Sequence, residues 1–287
     1  LATRFFSEEI VPVLNTEFLQ QKLHALAPSI ASSLISRGFW TNDDLDYSDA
    51  TKKMSLLETE EIRAMRDQSI ALRSEGRFEQ SWSERIDESG VSTRFDKEGV
   101  FACEPDGGDY YTAPDLLLYM STVIATLPPL LNEHISGTSN SDRATASPLN
   151  LSNQSFNAKL AVTSPGGSTY PLHVDNTLGI TGSYQDDSRK LTCIVYLNPD
   201  YEAGDGGELR LLLLDKECLD LTPQGGRMVI FWSDEIPHEV LPTKPDSKEE
   251  CFDRYALTIW LPDNDPRNIQ ARGSKFETLR VGAFVEG

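Results

Sequence analysis

Two periodicities divide this chain. Over the first third, apolar side chains recur at helical spacing; from Asn157 onward they fall in short runs separated by turn residues. The first helix is expected over 16–36, interrupted at Pro28 and closed by Arg37-Gly38. A second fits 58–74, where Ile62, Met65 and Leu72 share a face, acidic residues fill the first turn and Gly76 follows the end. A third fits 114–127: Leu117, Met120, Ile124 and Leu127 keep helical spacing, and Pro128-Pro129 predicts a stop.

Short β runs are expected at 158–163, 169–174, 191–197, 207–214, 227–232, 237–241 and 254–261. Pro165-Gly166-Gly167, Asn198-Pro199-Asp200, Gly204-Asp205-Gly206-Gly207 and Pro223-Gln224-Gly225-Gly226 supply the reversals between them. Strands without intervening helices imply a mainly β double-stranded β-helix, or jelly roll, braced by the N-terminal helices. A single domain is expected, with 1–156 as helical support and lid, 157–261 as the jelly-roll core and 262–287 as a C-terminal tail. Residues 81–112, polar and rich in Gly and Asp, read as a long connection able to act as a lid. Residues 136–155, dominated by Ser, Thr, Asn and Asp, read as an insertion too polar to pack a core.

Composition narrows the class. At 287 residues and 39% apolar the chain can bury a large core. No apolar run approaches the roughly 18 residues that span a bilayer, and the first twenty residues carry neither a basic start nor a hydrophobic stretch, so no membrane partner is expected. A net charge of −19 argues against nucleic acid, because phosphate contacts need clustered Lys and Arg. Cys103, Cys193, Cys218 and Cys251 form no CxxC pair, which favours a reducing compartment, cytoplasmic or nuclear. Cys193 reads as a small buried hydrophobe rather than a reactive thiol.

The chemistry concentrates in His173-Val174-Asp175, with His238 and Arg254 downstream. In an extended strand alternate side chains share a face, so His173 and Asp175 point one way and Val174 the other. His238, in a short segment ending at Pro242, offers a third ligand from a distant strand. Two imidazoles and one carboxylate with open positions are the facial set that holds non-haem Fe(II) for oxygen chemistry. The remaining histidines, His24 and His134, fall in helical or loop contexts. Arg254 opens an alternating apolar strand, where a cation is costly unless it meets an anion; a dicarboxylate cosubstrate supplies one.

Between Tyr170 and Leu261 the chain resembles the 2-oxoglutarate and Fe(II)-dependent prolyl 4-hydroxylases, most of all the oxygen-sensing type that acts on hypoxia-inducible factor. The runs that carry the resemblance are His173-Val-Asp-Asn176, Leu191-Thr-Cys-Ile-Val-Tyr-Leu-Asn198, Gly206-Gly-Glu-Leu-Arg210, Phe231-Trp-Ser-Asp234, Pro237-His-Glu-Val240 and Arg254-Tyr-Ala-Leu-Thr-Ile-Trp260. The resemblance implies that His173, Asp175 and His238 ligate iron, that Arg254 pairs with the distal carboxylate of 2-oxoglutarate and that Tyr196 hydrogen-bonds to it. It also implies that Leu209, Ile194 and Val240 line the cosubstrate pocket and that Arg189 and Trp260 lie near a bound peptide, although core packing accounts for the three aliphatic residues equally well. Fe(II), 2-oxoglutarate and O2 are the implied cofactors, with ascorbate keeping the iron reduced. The implied reaction is C4 hydroxylation of a peptidyl proline in a protein substrate, with succinate and CO2 as coproducts.

Three departures from the family pattern stand out. Residues 163–170 lack the tyrosine that animal relatives place before the first ligand; Ser164 or Pro165 stands near its position. Residues 243–250 form a longer charged loop, and 136–155 has no counterpart. Two alternatives remain open: a small-molecule 2-oxoglutarate oxygenase, and a catalytically silent jelly roll that binds metal or peptide. A secreted collagen-type hydroxylase fits less well, because those enzymes usually carry lysine where Arg254 stands.

Overall fold

The computed structural model describes residues 11–44, 56–86, 92–136, 148–167, 169–176, 187–214, 217–244, 253–269 and 274–279. Most of the 136–155 and 243–250 stretches, and Cys251, lie outside the described residues.

Helix α1 (Thr16–Arg37) begins where the Asn15 side chain accepts the Phe18 amide at 3.0 Å. It ends at Gly38, whose φ of 86° turns its own N–H back to Leu34 O; a Cβ there would meet Ile236 Cδ1 at 2.5 Å, so the stop requires glycine. Contrary to the expected interruption, the helix is continuous through Pro28. Helix α2 (Thr59–Ser74) matches its expected span closely, and the Glu61 carboxylate accepts the Glu58 amide at 2.7 Å in its first turn.

The third helix is the larger correction: α3 (Pro114–Ser136) continues through Pro128 and Pro129 instead of stopping there. Each internal proline costs about 3 kcal/mol, but Leu127 and Leu131 on either side are fully buried, and burying two leucines offsets a comparable amount. The extension makes α3 long and apolar enough to cross a membrane by length and composition alone, which the shorter expected helix was not. In this fold 67% of its most apolar stretch is buried, and it packs against α1. Asp115 locks the helices together: its carboxylate, fully buried, accepts from Val13 N at 2.8 Å, Leu14 N at 2.6 Å and Gln68 Nε2 at 2.5 Å.

Eleven strands are described: β1 (Phe39–Thr41), β2 (Glu79–Ile86), β3 (Ser92–Cys103), β4 (Asn157–Thr163), β5 (Tyr170–His173), β6 (Arg189–Tyr196), β7 (Leu209–Leu212), β8 (Cys218–Leu221), β9 (Met228–Trp232), β10 (His238–Val240) and β11 (Arg254–Pro262). They form an antiparallel seven-stranded sheet, β1-β9-β6-β11-β4-β3-β2, and an antiparallel four-stranded sheet, β5-β10-β7-β8. This is the jelly roll. Helices α1 and α3 pack on strands of the larger sheet, and one apolar cluster runs through helices and both sheets.

The 81–112 stretch is not a loose connection. Its β2 and β3 pair with each other, and β3 pairs with β4, so the stretch widens the larger sheet at its edge. Polar composition hid it because an edge hairpin exposes much of its surface. Strands β1 and β8 were missed for a simpler reason: runs of three and four residues are too short to show a period. Beyond β11, Phe276 and Leu279 are buried in the same core.

Candidate functional site

The smaller sheet sets the site. Strands β5 and β10 are antiparallel neighbours with His173 directly opposite His238, and the imidazole centroids are 4.3 Å apart. β5 ends at His173, one residue short of the expected 169–174 run, and the Asp175 carboxylate lies in the bend just beyond it. Val174 between them is buried on the other side, at 2% exposure. Ligand-type atoms of His173, Asp175 and His238 all lie within 4.8 Å of one another.

Each imidazole is oriented by backbone. His173 Nδ1 is 2.8 Å from Pro171 O, and His238 Nδ1 is 3.1 Å from Ile236 O. A carbonyl only accepts, so the proton sits on Nδ1 and Nε2 keeps its lone pair for the site. Both Nε2 atoms face Asp175 Oδ1, at 3.6 and 3.8 Å. The second carboxylate oxygen, Oδ2, is occupied by Thr192 Oγ1 at 2.7 Å and Trp260 Nε1 at 2.9 Å, and Thr192 Oγ1 is in turn 2.7 Å from Ser233 Oγ.

Electrostatics agree with a ligand set. Burial pushes the Asp175 carboxyl up, but His238, His173 and the Thr192 hydrogen bond together bring it well below the usual carboxylate range. Burial, reinforced by His173, lowers His238 to about 4, so its imidazole is neutral near pH 7. An anionic carboxylate and a neutral imidazole are the states that bind a metal.

A cavity of about 140 Å³ opens beside the triad, walled by both sheets. Of the residues expected around the cosubstrate, Arg254, Leu209, Ile194 and Val240 line it. Arg254 is 6% exposed and has no carboxylate partner among the described residues; its Nε donates to Gly207 O at 2.8 Å. Gly207 takes φ of 75°, and a Cβ there would come within 2.7 Å of Arg254 Cδ, so glycine is required for the guanidinium to pass. Tyr196 lies behind Arg254 rather than on the wall, its ring 5.1 Å from the guanidinium carbon. It is fully buried, and among the described residues its hydroxyl has no hydrogen-bond partner. A buried cation without a carboxylate beside a buried hydroxyl without an acceptor fits a carboxylate ligand.

Arg189 and Trp260, expected near peptide, line an adjoining groove of about 820 Å³. They also brace the ligands. Trp260 holds Asp175 Oδ2, and Arg189, paired with Asp187 at 2.6 Å, donates Nη2 to Asp175 O at 2.7 Å. Sequence reasoning missed Thr192, Lys97 and Tyr170, which line the triad's cavity too. Thr192 was within reach of strand alternation, since Thr192, Ile194 and Tyr196 share one face of β6. Lys97 was not, because it stands in the stretch read as a connection.

Residues 158–262 match the family model described as the 2OG-Fe(II) oxygenase superfamily. Egl nine homolog 1 of Rattus norvegicus is 40% identical over 127 residues, covering 42% of this chain and 32% of the relative. The hypoxia-inducible factor prolyl hydroxylase of Caenorhabditis elegans is 37% identical over 114 residues, covering 39% of this chain and 14% of the relative. The chain thus spans about a third or less of the length of these curated relatives. Among solved structures, a Trichoplax adhaerens prolyl hydroxylase in complex with a hypoxia-inducible factor oxygen degradation domain peptide shares the fold. Its TM-score is 0.61 at 22% identity, over 88% of this chain and 95% of that one. The stretch matched to the 2OG-Fe(II) oxygenase model, 158–262, contains all three residues of the triad and Arg254.

Proposed function

We propose that this chain is a 2-oxoglutarate- and Fe(II)-dependent dioxygenase that hydroxylates a peptidyl proline at C4 in a protein substrate. The observation that carries the reading is the convergence of His173, Asp175 and His238 beside a cavity whose wall includes the carboxylate-free Arg254. A relative named as a hypoxia-inducible factor prolyl hydroxylase, and a structural neighbour bound to a hypoxia-inducible factor peptide, support proline and a polypeptide as the target.

In this reading His173, Asp175 and His238 would hold the iron, and Thr192 and Trp260 engage the second oxygen of Asp175 through hydrogen bonds. Arg254 receives the distal carboxylate of 2-oxoglutarate, with Tyr196 donating from behind. Leu209, Ile194 and Val240 exclude water from the cosubstrate stem, which strengthens those charge contacts. Iron with 2-oxoglutarate and O2 supplies the oxidising power that places a hydroxyl on an unactivated carbon, releasing succinate and CO2. The groove along Arg189 and Trp260 gives an extended polypeptide a path to the triad.

Incubation of the chain with iron, 2-oxoglutarate, ascorbate and candidate proteins, followed by mass spectrometry, tests the reading. Hydroxyproline in protein together with succinate, both lost in Asp175→Ala, is the expected result. Oxygen appearing only in free amino acids or metabolites would establish a small-molecule oxygenase, and metal binding with no succinate a silent jelly roll.

A further inference from the structure

Lys97, on β3, is 6% exposed, yet among the described residues it has no ion-pair or hydrogen-bond partner for its ammonium; Nζ lies 3.2 Å over the Tyr170 ring. Tyr170 stacks in turn on His173, with ring centroids 4.1 Å apart, so the ammonium stands one aromatic ring from the triad. A buried ammonium is costly without a counter-ion. Burial and the neighbouring Lys159, opposed by Asp175, bring Lys97 down to about 8.

Lys159, on β4, is half-buried and likewise has no carboxylate partner among the described residues. Both lysines line the triad's cavity, and Lys159 also lines the large groove, together with Ser81 and Trp260. The pair is distinct from Arg254, which is tied to Gly207 and lies against Tyr196. On a chain of net charge −19 carboxylates are plentiful, yet the one carboxylate among the described residues of this cavity, Asp175, is engaged by Thr192, Trp260 and the two imidazoles, so the two lysines are set apart for an anion brought from outside.

We propose that Lys97 and Lys159 form a carboxylate-binding position for the substrate, so that the carbon to be hydroxylated is presented beside an acidic group. The inference rests on the oxygenase reading above and adds substrate selectivity to it. The carboxylate comes from the substrate because Lys159 stands where the cavity joins the groove, on the path a polypeptide follows. Its source is an Asp or Glu side chain flanking the target, or the free C-terminal carboxylate of a terminal target.

Peptides of fixed length with one central proline, flanked by Asp, Asn or Lys at each of the two positions on either side, separate these cases. A second set ends in proline as free acid or as amide. Hydroxyproline formation is measured aerobically, and binding anaerobically with Fe(II) and 2-oxoglutarate. The expected result is at least a tenfold preference for one acidic peptide over its Asn counterpart, collapsing in Lys97→Met and reversed toward the Lys peptide in Lys97→Glu. Lys159→Met, at a half-buried site, should lower the same ratio even if Lys97 variants fold poorly. Acid-over-amide preference in the second set identifies a terminal carboxylate, and Asp-over-Asn preference in the first a side chain. Equal use of Asp and Asn peptides together with equal use of the acid and amide forms, or absence of binding by any of them, overturns the proposal, as does a Lys97→Met effect confined to the KM for 2-oxoglutarate. Acidic peptides that bind through Lys97 but gain no oxygen would sustain the site and defeat the hydroxylase reading.

Discussion

Trp260 Nε1 donates to Asp175 Oδ2 at 2.9 Å, on the same oxygen that Thr192 Oγ1 reaches at 2.7 Å. With Oδ2 doubly occupied, Oδ1 is the oxygen left facing both imidazoles. Outer groups that orient a ligand typically change metal affinity by about 10- to 100-fold when removed. Trp260→Phe keeps the ring and deletes the donor, so iron affinity should fall by that order while the melting temperature hardly moves. Thr192→Val should do the same. Anaerobic metal titration checks both, and unchanged affinity in the two variants would dismiss the orienting role.

Tyr196 gives a sharper separation of stability from binding. Among the described residues its buried hydroxyl has no hydrogen-bond partner, so Tyr196→Phe should cost the fold little. A hydrogen bond to a charged ligand is worth about 1.5–3 kcal/mol, equivalent to about 10- to 100-fold in affinity. The KM for 2-oxoglutarate should rise within that range with the unfolding midpoint unmoved. A drop in stability with normal KM would place the hydroxyl in the scaffold instead.

The pH response of the metal-free protein follows from His238. Burial, with His173 adding to it, lowers this imidazole to about 4 against 6.5 in the unfolded chain. Above about 6.5 neither state takes up a proton and the native state keeps its full stability. As pH falls from there toward about 4, the unfolded chain binds a proton that the folded one refuses, and stability is lost across that window. Thermal melts in chelator should therefore fall in temperature between pH 7 and pH 5, and His238→Gln should flatten the fall. Parallel slopes in the two proteins would refute the assignment.

The triad was legible because His173 and Asp175 stand two residues apart and His238 lies in a later short β run; β5 and β10, far apart in the chain, pair so that the two histidines face each other, with Asp175 in the bend just past β5. Leu209, Ile194 and Val240 came from the family resemblance rather than from any spacing, and they lie on the cavity wall. What failed did so where local rules meet tertiary packing. Pro128 and Pro129 read as a helix stop, but the buried face of α3 carries the chain through them. The β2–β3 hairpin read as a loop because an edge strand needs little apolar surface, and with it went any view of Lys97. Thr192 and Trp260 touch Asp175 through contacts between distant strands, which no spacing in the sequence encodes.

The scaffold behind the triad contains a buried ionic cluster. Lys190 Nζ lies 2.9 and 2.8 Å from the two oxygens of Asp234 and 3.1 Å from Glu235 Oε1, with all three side chains fully buried. Glu235 Oε2 also accepts from Ser274 Oγ, and Ser233 N donates to Lys190 O at 3.0 Å, which ties the cluster to the Ser233–Thr192–Asp175 chain. Removing one member of such a group strands the opposite charge, at a cost of about 3–5 kcal/mol. Lys190→Met keeps most of the side-chain volume, so its loss in urea-measured stability should be of that size and arise from the stranded carboxylates rather than a cavity. Adding Asp234→Asn and Glu235→Gln to Lys190→Met discriminates the two causes: neutral amides should recover part of the loss, because no net charge then remains buried. If the triple variant is no more stable than Lys190→Met alone, packing and not charge accounts for the lysine.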